Sequence, residues 1–160
     1  MSNRVYVETT IVSYLTARPM RDLVAAARQE MTTEWWELRR GHFELYVSDA
    51  VLEEASRGDS GAAARRLEAL QDVPVLETTA DALDLAAHLV HIGIVPEKAR
   101  VDALHIALAT VHGTNYLLTW NCAHIANAEL EERLRAALIE RGFVPPVICT
   151  PEELMGDRHV

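Results

Sequence analysis

Four oxygen-bearing side chains stand where a sheet protein commonly does chemistry. Glu8 follows a short β-branched and aromatic run at 4–7, and Asp49, Glu53 and Glu54 follow the alternating run at 43–47. Asn121 follows a third apolar run at 116–119. Asp102 differs, because it interrupts residues 98–112, where Ala99, Val101, Ala103, Leu104, Ile106, Ala107, Leu108, Ala109 and Val111 leave little polar face. A carboxylate buried there without a cation or donors would be costly, and a shared metal ion meets that need. Together Glu8, Glu54, Asp102 and Asn121 would form a set of hard oxygen ligands. That is the set Mg²⁺ and Mn²⁺ prefer for holding phosphate esters and activating water. Each residue also has a local reading. Glu8 or Thr9 can cap a helix, Glu53 and Glu54 can be solvated acids at a helix start, Asp102 can pair with Arg100 or Lys98, and Asn121 can hold a turn.

The elements that must position these residues alternate along the chain. The strand at 4–7 leads through Glu8, Thr9 and Thr10 into a short helix carrying Ile11, Val12, Tyr14 and Leu15. Pro19 breaks it, and a long amphipathic helix follows with Leu23, Val24, Ala27, Met31, Trp35 and Leu38, stopped by Gly41. After the strand at 43–47, Ser48 is the expected N-cap of a helix that ends near Gly58. Then come a surface helix at 60–70, a short edge strand at 73–76 and a helix capped by Thr79 and closed by Gly93 and Pro96. The central helix at 98–112 precedes a buried strand at 116–119, a charged helix at 129–141 and a last strand at 146–148. Thr150, Pro151 and Glu153 then have the form of a capping box. Strands alternating with helices predict an α/β layer on a parallel sheet, whose ligand site lies beyond the strand carboxyl ends.

Composition narrows the class. At 160 residues with 49% hydrophobic and 24% charged, the chain predicts one globular domain over 1–160. No apolar run approaches the roughly 18–20 residues of a membrane span, and residues 1–7 lack the apolar core of a secretory signal, so a cytoplasmic protein is expected. Cys122 and Cys149 lack the pairing of a zinc knuckle or a disulfide scaffold. A net charge of −9 argues against coating nucleic acid by bulk charge. Acidity still permits cleavage of nucleic acid where carboxylates hold a metal and a local basic rim holds phosphates. Arg57, Arg65, Arg66, Lys98 and Arg100 flank the acidic segments as candidates for that rim. His105 and His124 share no ligand spacing and read as a satisfied core or surface pair. Trp35 reads as core and Trp36 as a rim or dimer contact.

At these positions the chain resembles the PIN domain, and within it the VapC-like toxin ribonucleases. The resemblance runs over Val5-Tyr6-Val7-Glu8-Thr9-Thr10, Ser48-Asp49-Ala50-Val51-Leu52-Glu53-Glu54, Asp102-Ala103-Leu104-His105-Ile106-Ala107 and Leu117-Leu118-Thr119-Trp120-Asn121. It implies a PIN-like, Rossmann-like parallel sheet flanked by helices and an acidic pocket that binds Mg²⁺ or Mn²⁺ and hydrolyses RNA. It further implies the toxin of a toxin–antitoxin pair, with a cognate antitoxin as partner. Glu8, Glu54 and Asp102 would be catalytic metal ligands, Asn121 would complete or orient the shell, and Thr9 and Thr119 would support the ligands with their hydroxyls. Glu54 is preferred to Glu53 because it stands three residues after Val51, as the family's acid does. Two departures stand out: Glu8 where the family usually has Asp, and the neutral Asn121 where it has Asp or Asn. Both bear on rate, so a second reading is a catalytically weakened PIN-like module that binds RNA or protein, and a third is a structure-specific DNA nuclease. The long N-terminal helix with Trp35 and Trp36, and the dimers common in the family, lead us to expect a homodimer.

Overall fold

The computed structural model describes residues 2–157. Five parallel strands form one sheet in the order β3-β2-β1-β4-β5. In chain order the elements are β1 (Asn3–Val7), α1 (Thr9–Thr16), α2 (Leu23–Leu38), β2 (Phe43–Ser48), α3 (Asp49–Ala55) and α4 (Ser60–Ala69). There follow β3 (Val75–Leu76), α5 (Ala80–His91), α6 (Arg100–Val111), β4 (Tyr116–Leu118), α7 (Ala128–Glu140) and β5 (Val147–Cys149). None of the described helices is long and apolar enough to cross a membrane.

β1 is central because nothing in its second half needs water. Val5, Tyr6 and Val7 are fully buried, as expected of a parallel strand covered on both faces. It pairs with β2 on one side and β4 on the other, so Tyr6 lies level with both Tyr46 and Leu117. The chain first winds outward through β2 to β3, then returns to the other side of β1 at β4. Such a reversal opens a crevice at the strand carboxyl ends. The residues that follow β1, β2 and β4 therefore converge there.

α6 lies against the sheet with Ala103, His105, Ile106, Ala107, Leu108 and Ala109 buried. Its first turn is tighter than the sequence pattern predicts: a 3₁₀ turn at Glu97–Ala99, closed by the Ala99 amide on the Pro96 carbonyl at 2.8 Å, precedes the α-helix. Thr79 caps α5 and Ser48 caps α3 through their hydroxyls, as expected. Thr150 and Glu153 form their reciprocal capping bonds, yet only a single turn follows before Gly156, at φ +78, reverses the chain. Trp35 is fully buried, stacks on Phe43 and donates its indole N–H to the Leu154 carbonyl at 3.2 Å, which ties α2 to the C-terminal turn. Trp36 is only half-buried, beneath the Arg40 guanidinium at 4.1 Å.

Candidate active site

Glu8 is the first residue beyond β1 and the N-cap of α1. Its side chain folds back onto its own helix, accepting from the Thr10 amide at 3.2 Å and the Thr10 hydroxyl at 2.5 Å. The hydroxyl of Thr119, just beyond β4, donates to the same Oε1 at 2.5 Å. Both hydroxyls are themselves held by the loop after β4, since Trp120 N–H donates to Thr10 Oγ1 and Asn121 N–H to Thr119 Oγ1, each at 2.9 Å. Two backbone amides thus act on Glu8 through two threonines. The extra methylene of glutamate is taken up by this fold-back. Glu8 is only 3% exposed, and among the described residues no lysine, arginine or histidine forms an ion pair with it.

Glu54 reaches the same place from α3. Its Oε1 accepts from the Thr9 hydroxyl at 2.6 Å and from His105 Nε2 at 2.5 Å. Burial pushes this carboxyl up, but the hydrogen bond and field of His105, the Thr9 hydroxyl and the charge of Arg57 outweigh it and hold it below its ordinary value. Its other oxygen, Oε2, makes no hydrogen bond to a described residue, and the side chain stays 28% exposed. Glu53 instead points to solvent and pairs with Arg57 at 2.8 Å. Asp49 bonds both the amide and the hydroxyl of Thr78, so it belongs to the loop before α5.

Carboxylate oxygens of Glu8 and Glu54 and a ring nitrogen of His105 lie within 4.8 Å of one another. His105 is fully buried and bonded at both ring nitrogens, to Tyr6 Oη at 2.7 Å and to Glu54. It is a satisfied core histidine that also touches the acidic pair. The sequence did carry a signal for it: Asp102 and His105 are three apart on α6 and so share one face. Thr10, Tyr6 and Ser48 had no such signal.

Asp102 is half-buried in the first turn of α6, one turn before His105. Neither Arg100 nor Lys98 pairs with it; Arg100 pairs with Glu97 at 3.3 Å. No hydrogen bond or ion pair engages its carboxylate among the described residues. Asn121 uses its amide oxygen inside its own loop, accepting from His124 N–H at 3.0 Å. Of the flanking cations, Arg66 donates to the carbonyls of Ala55 and Arg57 behind α3, and Arg65 to that of Thr16.

The donor chemistry fits a divalent cation. A nearly buried carboxylate without a counter-cation, a second carboxylate with one oxygen free and a half-buried unpartnered aspartate are hard oxygen donors. Asp102 is not part of the 4.8 Å group of Glu8, Glu54 and His105; the two adjacent carboxylates, left alone, are costly, and a cation offsets the cost.

No protein-family model matches the chain, and no curated protein matches it in sequence. Solved structures do. VapC20 of Mycobacterium tuberculosis, described as a Sarcin-Ricin loop cleaving toxin, superposes with a TM-score of 0.58 at 21% identity, over 75% of this chain and 92% of its own. VapBC2 of Rickettsia felis, solved bound to a DNA fragment from its promoter, superposes with a TM-score of 0.58 at 13% identity, over 92% of this chain and 98% of its own. The chain has the PIN-domain fold of the VapC-like toxins.

Proposed function

We propose that the protein is a metal-dependent endoribonuclease and the toxin of a toxin–antitoxin pair. The observation that carries this reading is the pair Glu8 and Glu54 at the strand carboxyl ends. Their oxygens lie within 4.8 Å of each other, on a fold shared with a toxin described as cleaving the Sarcin-Ricin loop. Glu8, Glu54 and Asp102 would hold Mg²⁺ or Mn²⁺. The ion would supply neutralisation of charge gathering on the scissile phosphate and would acidify the attacking water. The chain's own residues do the rest. Thr10 and Thr119 fix Glu8, Thr9 fixes Glu54, and Asn121 holds the loop after β4 so that its two amides face those threonines. The carboxylates repel substrate phosphates unless the ion is present, which makes substrate binding depend on metal.

A cognate antitoxin and a second copy of the chain are the partners of this reading. Trp35 is core and offers nothing to a partner, so a homodimer would use exposed apolar residues such as Leu23, Val24 and Leu38 on α2. Cleavage of a labelled RNA with Mg²⁺ or Mn²⁺ and with EDTA tests the enzyme, and a DNA of the same sequence tests its substrate class. Cleavage that persists in EDTA rejects metal dependence. Binding of RNA without cleavage at any metal concentration turns the reading to a weakened, binding-only domain. Sedimentation showing only monomer at tens of micromolar rejects the homodimer.

A further inference from the structure

Behind Glu54 runs a chain of buried hydrogen bonds that the nuclease reading does not use. The Val51 amide meets Ser48 Oγ at 3.2 Å, Ser48 Oγ meets Tyr6 Oη at 2.7 Å, and Tyr6 Oη meets His105 Nδ1 at 2.7 Å. On the far side His105 Nε2 meets Glu54 Oε1 at 2.5 Å. Ser48, Tyr6 and His105 are each fully buried, and their polar atoms partner one another and the two ends of the chain.

The chain admits one consistent placement of protons. An amide only donates and a carboxylate accepts, which fixes both ends. Val51 N–H donates to Ser48, the Ser48 hydroxyl to Tyr6, the Tyr6 hydroxyl to Nδ1, and Nε2–H to Glu54. The opposite tautomer would set a ring lone pair against a carboxylate oxygen at 2.5 Å. A ring carrying both protons would turn the Tyr6 hydroxyl onto Ser48 and leave the Ser48 proton without an acceptor among the described residues.

We infer that Tyr6 and His105 are positioning residues for Glu54: Tyr6 and Glu54 together fix the His105 tautomer, and His105 Nε2–H and the Thr9 hydroxyl pin Oε1, leaving Oε2 as the oxygen that would be open to a cation. On this account His105 is not itself a ligand, because the nitrogen that faces the site carries a proton. The inference deepens the nuclease reading and rests on it for the metal, but the tautomer is a property of the metal-free protein.

Long-range ¹H–¹⁵N spectra of the metal-free wild-type protein should show His105 with a protonated Nε2 and a bare Nδ1, unchanged when Mg²⁺ is added. Tyr6→Phe should leave Nε2 protonated, because Glu54 still accepts from it, but shift the Nδ1 resonance, whose hydrogen-bond donor is gone; an unmoved Nδ1 resonance would overturn the part given to Tyr6. By calorimetric titration of Mn²⁺, His105→Leu should lose roughly 10- to 100-fold in affinity, the range for removing a residue that orients a ligand. His105→Gln, whose amide nitrogen can stand where Nε2 stands, should retain most of it. A protonated Nδ1, loss of the Nε2 proton on adding Mg²⁺, or equal Mn²⁺ affinity in the wild type and His105→Leu would each overturn the inference. A wild-type protein that binds no Mn²⁺ would instead defeat the nuclease reading, and the metal-free spectra would still decide the tautomer.

Discussion

Thr119→Val isolates the support of Glu8 without altering any charge. Thr119 is fully buried and its hydroxyl does two things: it donates to Glu8 Oε1 at 2.5 Å and accepts from Asn121 N–H at 2.9 Å. Valine has nearly the same shape and neither capacity. Loss of a hydrogen bond to a charged acceptor costs about 1.5–3 kcal/mol, and the lower half applies here because Glu8 keeps its two bonds from Thr10. The stranded Asn121 amide adds about 1 kcal/mol, less than a fully buried one, since Asn121 is half-buried and water reaches it in part. The methyl that replaces the hydroxyl returns roughly 0.5 kcal/mol of apolar burial. The net loss is about 2–2.5 kcal/mol, which for a chain of this length lowers Tm by roughly 4–10 °C. Urea and thermal melts in EDTA measure it, with Thr119→Ser as control. Serine keeps both bonds and should lose only about 1 kcal/mol for the missing methyl. A valine variant within about 0.5 kcal/mol of wild type, or a serine variant as damaged as the valine, would refute the claim that this hydroxyl holds Glu8.

Asp102→Asn should abolish cleavage while changing stability in EDTA by less than about 0.5 kcal/mol, because no described residue bonds its carboxylate; full activity would return Asp102 to a structural role. Asn121→Asp should keep the bond to His124 N–H and tighten Mn²⁺ binding by calorimetry through added charge, and unchanged affinity would confine the residue to its turn. The Glu54 carboxyl is held below its ordinary value, so its contribution to stability is complete above an unfolded value of about 4.3 and is lost as pH falls through the lower folded one. Urea melts from about pH 3 to 7 should therefore show a flatter acid limb in Glu54→Gln, and an identical limb would mean that the folded protein does not favour the charged form. Burial pushes the Cys149 thiol up to about 12, with Glu153 adding to it, while Cys122 is exposed. A thiol reagent should thus label one cysteine quickly in the native protein and two only after unfolding.

How much of this is legible in the sequence depends on how far each feature relies on neighbours in the chain. The alternating pattern of strands and helices needs only local periodicity and capping, so Ser48 and Thr79 are identifiable as caps and 4–7 as a strand from their own surroundings. The exits of β1, β2 and β4 share one edge because a parallel sheet forces it, but that β1 lies between β2 and β4 is set by the strand order, which the alternating pattern does not contain. Nor does it contain the orientation of each side chain once there. Asn121 illustrates the difference: its position at a strand exit is readable, but its amide oxygen turns inward to its own loop, a choice made by the His124 amide three residues on. His105 shows the opposite error. Judged against His124 it shares no ligand spacing, and judged as an isolated residue in an apolar helix it is core. It is indeed core, and its burial is what lets it act on Glu54, since a fully buried ring bonded at both nitrogens has a fixed orientation that an exposed one lacks. The Tyr6 hydroxyl that completes the arrangement comes 99 residues earlier, from the middle of β1, where hydrophobic patterning registers only an aromatic ring in a buried strand. Polar atoms of buried Tyr and His must find partners, so the amino-acid sequence marks Tyr6 and His105 as residues in need of hydrogen bonds, but only the fold makes them each other's partner and brings His105 to Glu54.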